Sequence, residues 1–230
     1  MNPFNFKVNV KIPERRELFV TGLRERQKAD RTQRILAAAS RLFRDKGYDA
    51  VRIEDIAQLA DVSVGTCYNY FWTKGDLLLA IVSMEVEEVI LAGKSVVADP
   101  PVEVALALDS LINIYFGHSL HYLSKEMWRT AMALSIGAPE TPFSSRYTEL
   151  DGLLVLQVSD LLSELQRRGY ACLDFDPQTM GQVVFNNLNQ MFIEFVKQES
   201  MSLETLIAAT SRQNSALARL IAQDPAENQR

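Results

Sequence analysis

Apolar residues return every three or four positions along most of this chain, the period of an amphipathic helix. Ile35, Ala39, Leu42 and Phe43 make one such face, and Gly47 offers a left-handed stop after it. The spacing predicts a helix over 29–46. Ile53, Ile56, Ala57 and Ala60 repeat the pattern in a second, short helix. Ser63 is placed to cap a third, with Val64, Cys67 and Phe71 on its inner side. Thr73-Lys74-Gly75-Asp76 has the form of a capping box and opens a fourth helix, striped by Val82, Val86, Val89 and Ile90. Asp99-Pro100-Pro101 ends it. Helices at 102–119, 121–136, 144–168, 177–199 and 202–222 complete an all-α prediction. Asp176-Pro177 is a strong start for the 177–199 helix. One segment breaks the rule. Phe4, Phe6, Val8, Val10 and Ile12 alternate with polar residues, the period of a strand, with nothing predicted to pair with it.

Two short helices around Asp61-Val62-Ser63 suit a helix-turn-helix, whose second helix lies in the major groove of DNA. Anchored by Val64, Cys67 and Phe71, the third helix leaves Gly65, Thr66 and Asn69 facing out, with Tyr68 and Tyr70 on its flanks. Glycine permits close backbone approach, and Thr66 offers a hydroxyl and a methyl. Asn69 can bond an adenine edge with two hydrogen bonds. The tyrosine hydroxyls and Lys74 are of the type that meets phosphates.

Composition narrows the class. At 230 residues, 47% hydrophobic and 23% charged, the chain is of globular type. The longest aliphatic run, Leu77 to Val82, is six residues, far short of the roughly 20 needed to span a membrane. No apolar block of signal-peptide length opens the sequence, so the expected location is the cytoplasm. Cys67 and Cys172 are too few for a disulfide framework or a zinc site, and no metal or cofactor is expected. The net charge of −5 conceals an asymmetry. Residues 1–75 hold 14 Lys and Arg against 9 Asp and Glu, whereas 76–230 hold 10 against 20. A basic module that meets a polyanion is thus joined to an acidic one that does not. The expected division is a tail and basic arm (1–28), a three-helix DNA-binding domain (29–75), a helical ligand-binding and dimerisation domain (76–224) and a short tail (225–230).

Read together, these stretches resemble the DNA-binding domain of TetR-family transcriptional regulators. Ile35-Leu36-Ala37-Ala38-Ala39 with Leu42-Phe43 and Gly47-Tyr48 is similar to the family's first helix. Ile56-Ala57 through Ser63 resembles its second helix and turn, and Gly65 to Phe71 with Thr73 to Leu77 its recognition helix and the entry to helix four. The resemblance covers about a fifth of the chain. It implies base or groove contacts at Val64, Gly65, Thr66 and Asn69 and phosphate contacts at Tyr68, Tyr70 and Lys74. It implies a backbone contact at Arg52 and a groove-reaching arm from Arg24 to Arg31. There are departures: Arg52 stands where Ser or Thr usually caps helix two, and Cys67 replaces a usual Leu.

The resemblance also implies a C-terminal domain that binds a small inducer and pairs with a second subunit, most often in repression. The residues fit. Met180, Val184, Asn187, Leu188, Met191 and Phe195 stripe one face of helix 177–199, and Phe185, Asn189, Phe192 and Val196 another. A helix apolar on two faces is buried on both. With Phe192, Leu203, Ile207, Thr210, Leu217 and Ile221 as the expected contacts, the last two helices suit a four-helix interface in a two-fold dimer. Tyr115, Phe116, Trp128, Met132 and Tyr147, with His121 and Asn189 as polar anchors, are the candidate walls of a pocket for an apolar or aromatic ligand. The acidity of this half disfavours a strongly anionic one, although Arg129 and Arg146 offer local cations.

No phosphate loop, nucleophile elbow or metal-ligand cluster suggests an enzyme. The expected function is a sequence-specific repressor, binding a pseudo-palindromic operator as a homodimer and released by a small ligand. The alternative is a DNA-binding protein without an inducer, whose C-terminal domain binds another protein; an internal cavity separates the two.

Overall fold

The computed structural model describes residues 23–222; the alternating segment 4–12 lies outside them. Among the described residues there are nine helices and no strand: α1 (Leu23–Lys46), α2 (Ile53–Leu59), α3 (Val64–Tyr70), α4 (Lys74–Ala98), α5 (Val104–His118), α6 (Lys125–Gly137), α7 (Pro142–Arg167), α8 (Pro177–Lys197) and α9 (Leu203–Ile221). The expected all-α architecture is the observed one. Helix α1 begins at Leu23, so 23–28, expected as part of the basic arm, are helical and continuous with the first helix.

Local chemistry sets the boundaries. Ser63, Thr73, Ser124, Thr141, Asp176 and Ser202 each turn a side-chain oxygen onto an N–H three residues later, satisfying a donor the helix leaves open. At Thr73 the box closes, because Asp76 Oδ2 accepts from Thr73 N–H at 2.9 Å. Helix α2 has no side-chain cap from Arg52; Asp55 Oδ2 accepts Arg52 N–H at 3.1 Å and supplies half of the missing device. Gly47 follows α1 at φ 82°, the left-handed stop its position foretold. Asp61, at φ 53°, makes the turn between α2 and α3 without a glycine.

Helices α1 to α3 pack around Ile35, Phe43, Ile56 and Cys67, all fully buried. Helices α4, α7 and α8 form the centre of the larger half; α5 and α9 pack on one another, and α6 closes against α8. Lys125 is buried, yet its ammonium donates to the carbonyls of Gln198 (2.6 Å) and Met201 (2.7 Å) and lies 3.9 Å from the Phe195 ring. A cation there answers the open carbonyls at the end of α8. The loop after α7 holds the end of α9 through an isolated bridge between Ala171 and Ala222.

Helices α7 and α8 approach closely at Gly181, where a Cβ would overlap the Ser159 hydroxyl and come within 3.0 Å of its Cα. Gly152 on α7 has nothing within 4 Å. Gly181→Ala is therefore expected to cost about 1–3 kcal/mol of unfolding free energy by overpacking. Gly152→Ala is expected to gain about 0.5–1 kcal/mol in helix propensity. Urea denaturation of the three proteins at one concentration checks both signs.

Candidate functional site

The helix-turn-helix is held from three sides. Arg34 reaches from α1 to the carbonyl of Ala60 (2.9 Å), where α2 ends. Cys67 anchors α3 in the core, and burial pushes its thiol up, away from the reactive thiolate. Lys74 donates to the carbonyls of Tyr48 (2.9 Å) and Asp49 (3.1 Å) and stacks 4.7 Å over the Tyr48 ring. The residue expected to meet a phosphate is thus a staple between the start of α4 and the loop after α1, with one donor left over. Tyr70 is half-buried and packed against the core rather than offered to a ligand. The outward face of α3 presents Val64, Gly65, Tyr68 and Asn69, all exposed. Thr66 is half-buried, with its hydroxyl 2.7 Å from that of Ser63. Arg31 and Arg52 are exposed on the same domain. Trp72, just beyond α3, is 74% exposed, so packing within the protomer does not account for it.

The second half has a partly open cavity of about 80 Å³ between α4, α5, α6, α7 and α8. Six of the seven expected ligand residues line it: Tyr115, Phe116, Trp128, Met132, Tyr147 and Asn189. Its walls are fixed. The Tyr115 hydroxyl donates to Gln157 Oε1 (2.7 Å) and Trp128 Nε1 to the Ser119 carbonyl (2.7 Å). Phe192 meets Trp128 edge-on at 5.1 Å and stacks on Phe116 at 5.9 Å.

His121 does not line the cavity. It sits outside, with Arg44 and Tyr122 in a separate depression against α1. The polar places are taken instead by two carboxyls that the sequence did not single out, Glu85 and Asp151. Glu85 is 2% exposed; its Oε1 lies 2.6 Å from His118 Nδ1 and its Oε2 has no partner. Desolvation pushes its carboxyl up to about 7 against the opposing pull of His118. Asp151, half-buried, is pushed up to about 6 by desolvation. The two arginines offered as local cations are engaged elsewhere, Arg129 with Val196 and Glu199, Arg146 with Glu87 and Glu149.

Behind Glu85 a series of polar contacts runs to the first domain. His118 Nε2 is 3.2 Å from Glu88 Oε2, and the Tyr122 hydroxyl donates to Glu88 Oε1 at 2.9 Å. The Tyr122 carbonyl accepts from Ser40 on α1 (2.5 Å) and the His121 carbonyl from Arg44 (2.7 Å). Tyr48 N–H donates to Glu126 at 3.2 Å.

The expected dimer residues divide. Phe192, Thr210 and Ile221 are buried within the protomer, Phe192 beside the cavity. Leu203, Ile207 and Leu217 are partly buried on the flanks of α9. The outer faces of α8 and α9 carry instead Gln182, Val183, Asn186 and Gln190, and Ala208, Arg212, Ala216 and Leu220. A stripe marks an apolar face and does not say whether its own domain or a second subunit covers it.

Fold and site together define a helix-turn-helix protein whose DNA-reading unit is bonded to a helical, cavity-bearing domain. A family model described as bacterial regulatory proteins, tetR family, matches residues 35–81. The HTH-type transcriptional repressor KstR of Rhodococcus jostii (strain RHA1) is 39% identical over 74 residues, 32% of this chain and 35% of that protein. The chain thus spans about a third of the length of the curated relatives it matches. A TetR-family transcriptional regulator from Pectobacterium atrosepticum superposes with a TM-score of 0.69 at 19% identity, over 88% of this chain and 98% of that one. FadR of Thermus thermophilus, solved in complex with lauroyl-CoA, gives 0.60 at 21% identity, over 84% and 97%. Residues 35–81 thus match the tetR-family model, and the described fold is the one these regulators share.

Two outcomes follow from this geometry. Lys74→Ala should lower unfolding stability by about 1–3 kcal/mol, because two carbonyls lose a charged donor. Asn69→Ala, at an exposed position, should stay within about 0.5 kcal/mol; chemical denaturation of both variants decides. For Asp151 the folded carboxyl titrates above its ordinary 3.8, at about 6, so its ionisation opposes folding as pH rises through that window. Asp151→Asn, neutral throughout, should melt higher than the parent at about pH 8 and converge with it near pH 4. Melting curves across pH measure this.

Proposed function

We propose that this protein is a sequence-specific DNA-binding transcriptional repressor, a homodimer released from a pseudo-palindromic operator by a small ligand in its second domain. One observation carries the reading: the wall of an aromatic cavity and the helix that frames the recognition helix belong to one series of hydrogen bonds and close charged contacts, Glu85–His118–Glu88–Tyr122–Ser40. A ligand acts at a distance only through differential affinity for two states. Here the two states are two settings of α1 and α4 against the cavity, which space the two recognition helices of the dimer rightly or wrongly for successive major grooves. The cavity favours this reading over a C-terminal domain that binds only another protein. Its volume also favours a compact ligand. About 80 Å³ is well below the roughly 300 Å³ at which drug-sized sites begin, so a long acyl chain such as lauroyl-CoA carries would need the helices to part.

In this reading Gly65, Thr66 and Asn69 meet base edges, while Tyr68, Trp72, Arg31 and Arg52 meet the backbone. The outer faces of α8 and α9 join the two subunits. Lys74 supports the domain through Tyr48 and Asp49, and its remaining donor can still meet a phosphate. Fluorescence anisotropy with DNA from upstream of its own coding region tests the reading. Binding should fall steeply with salt as counterions return to the phosphates. Asn69→Ala should relax base preference by about 1–3 kcal/mol at one position of each half-site. Failure to prefer that DNA over random duplex, or a monomer by sedimentation at micromolar concentration, would sink the reading.

A further inference from the structure

Two acids in an apolar cavity need a reason. Glu85 is almost wholly buried, and one oxygen of its carboxyl has no hydrogen-bond partner. Leaving such an oxygen dry is costly, and an isolated ionised carboxylate costs far more. Asp151 enters the same space from α7, and its carboxyl accepts no side-chain hydrogen bond among the described residues. Around them stand Tyr115, Phe116, Trp128, Tyr147 and Phe192. Aromatic faces are negative and attract cations, more strongly where water is excluded. The lining holds no lysine and no arginine. A ligand that brings a positive charge supplies what both carboxyls lack and suits the aromatic walls; an anion would meet like charge in a desolvated space.

We propose that the cavity holds a compact organic monocation, an amine or quaternary ammonium, with its charge between Glu85 and Asp151 and its carbon against the aromatic walls. This rests on the reading of the cavity as the effector site and supplies the chemical class of the effector. It carries a pH dependence. The groups facing Glu85 are His118 from α5, Glu88 one turn along α4, and Tyr122 beyond them. Asp151 is faced by Tyr147 from one turn back on α7. Helices α6 and α8 contribute no charged side chain to the lining. The cation needs the carboxyls ionised, and they titrate at about 7 and about 6, so its affinity rises from acid to mildly alkaline pH.

The test is calorimetric titration of the full chain with benzylamine and tetramethylammonium beside benzyl alcohol and benzoate. Benzylamine is expected to bind about tenfold or more tighter than benzyl alcohol, and benzoate not at all. Its affinity is expected to rise about tenfold between about pH 5.5 and pH 8. Glu85→Gln and Asp151→Asn are each expected to remove most of the preference for benzylamine while leaving benzyl alcohol unchanged. Two variants are needed because Glu85 also holds His118, so its change alone risks the fold. Equal binding of the amine and the alcohol overturns the proposal, as does a preference that survives both substitutions or no binding by either cation. Anisotropy with operator DNA at saturating amine separates the two levels. If the amine binds as described and operator affinity does not move, ligand release fails and the cation site stands. If a neutral or anionic compound releases the operator while the amines do not bind, the cation site fails and ligand release stands.

Discussion

Both halves of the molecule share one continuous helix. Helix α4 is 25 residues long, about 37 Å at 1.5 Å per residue. Its first turn is locked to the end of the recognition helix by the Thr73–Asp76 box, where Asp76 Oδ2 accepts from both Trp72 and Thr73 N–H. Over the next two turns Leu77, Leu78 and Ile81 enter the core, and Glu85, three turns in, stands in the cavity wall. A packed helix is stiff, so it does not accommodate a shift at Glu85 by bending. A displacement at Glu85 would therefore be passed along it to the end that bears α3. Lys74 reinforces the arrangement by fixing that end of the rod to the loop after α1.

The same helix explains why charge could be buried at all. Along α4, Glu85, Glu87 and Glu88 crowd one stretch of an otherwise apolar helix. Only Glu85 is fully buried. Glu87 and Glu88 reach partners near the surface, Arg146 and the pair Tyr122 and His118. Glu85 has His118 on one oxygen, with the Tyr122 backbone nearby, and no partner on the other. Stability alone would favour a glutamine or a methionine there, and a carboxyl that resists ionisation in its own fold is more typical of a site than of a core.

Much of this was legible in the sequence, for reasons that can be named. Helix positions follow from a period that any buried face imposes, and Ser63, Thr73, Asp176 and Gly47 mark ends because the open N–H and C=O groups of a helix demand them. Aromatic residues such as Tyr115, Phe116 and Trp128 reach the cavity because large apolar side chains on middle helices have nowhere else to go. What stayed hidden depends on pairing across the chain. Lys74 looks free in the sequence, and its carbonyl partners lie about 25 residues away. Glu85 looks like one more acid of a solvated stripe, because the rotation that turns it inward is set by α5 and α7. His121 was read as an anchor from its neighbourhood in sequence, yet the turn after α5 throws it outward beside α1. Thr210 is wholly buried although it is polar, because α5 covers that stripe of α9. The sequence shows the stripe and not its cover.

The energies involved are of compatible size. An allosteric response of ordinary strength needs about 1–3 kcal/mol of coupling between two sites. Each net hydrogen bond is worth roughly 1 kcal/mol. Three bonds join α1 and the loop after it to the second domain beside the cavity: Ser40 to Tyr122, Arg44 to His121 and Tyr48 to Glu126. A coupling equal to two or three of these bonds, about 2–3 kcal/mol, would correspond to a shift in DNA affinity of roughly 30–150-fold. No large rearrangement and no disruption of the core is required. The junction is therefore weak enough to yield to one small ligand. The first domain keeps its own buried centre around Ile35, Phe43 and Ile56, so it can move as a body without losing the shape of its reading face.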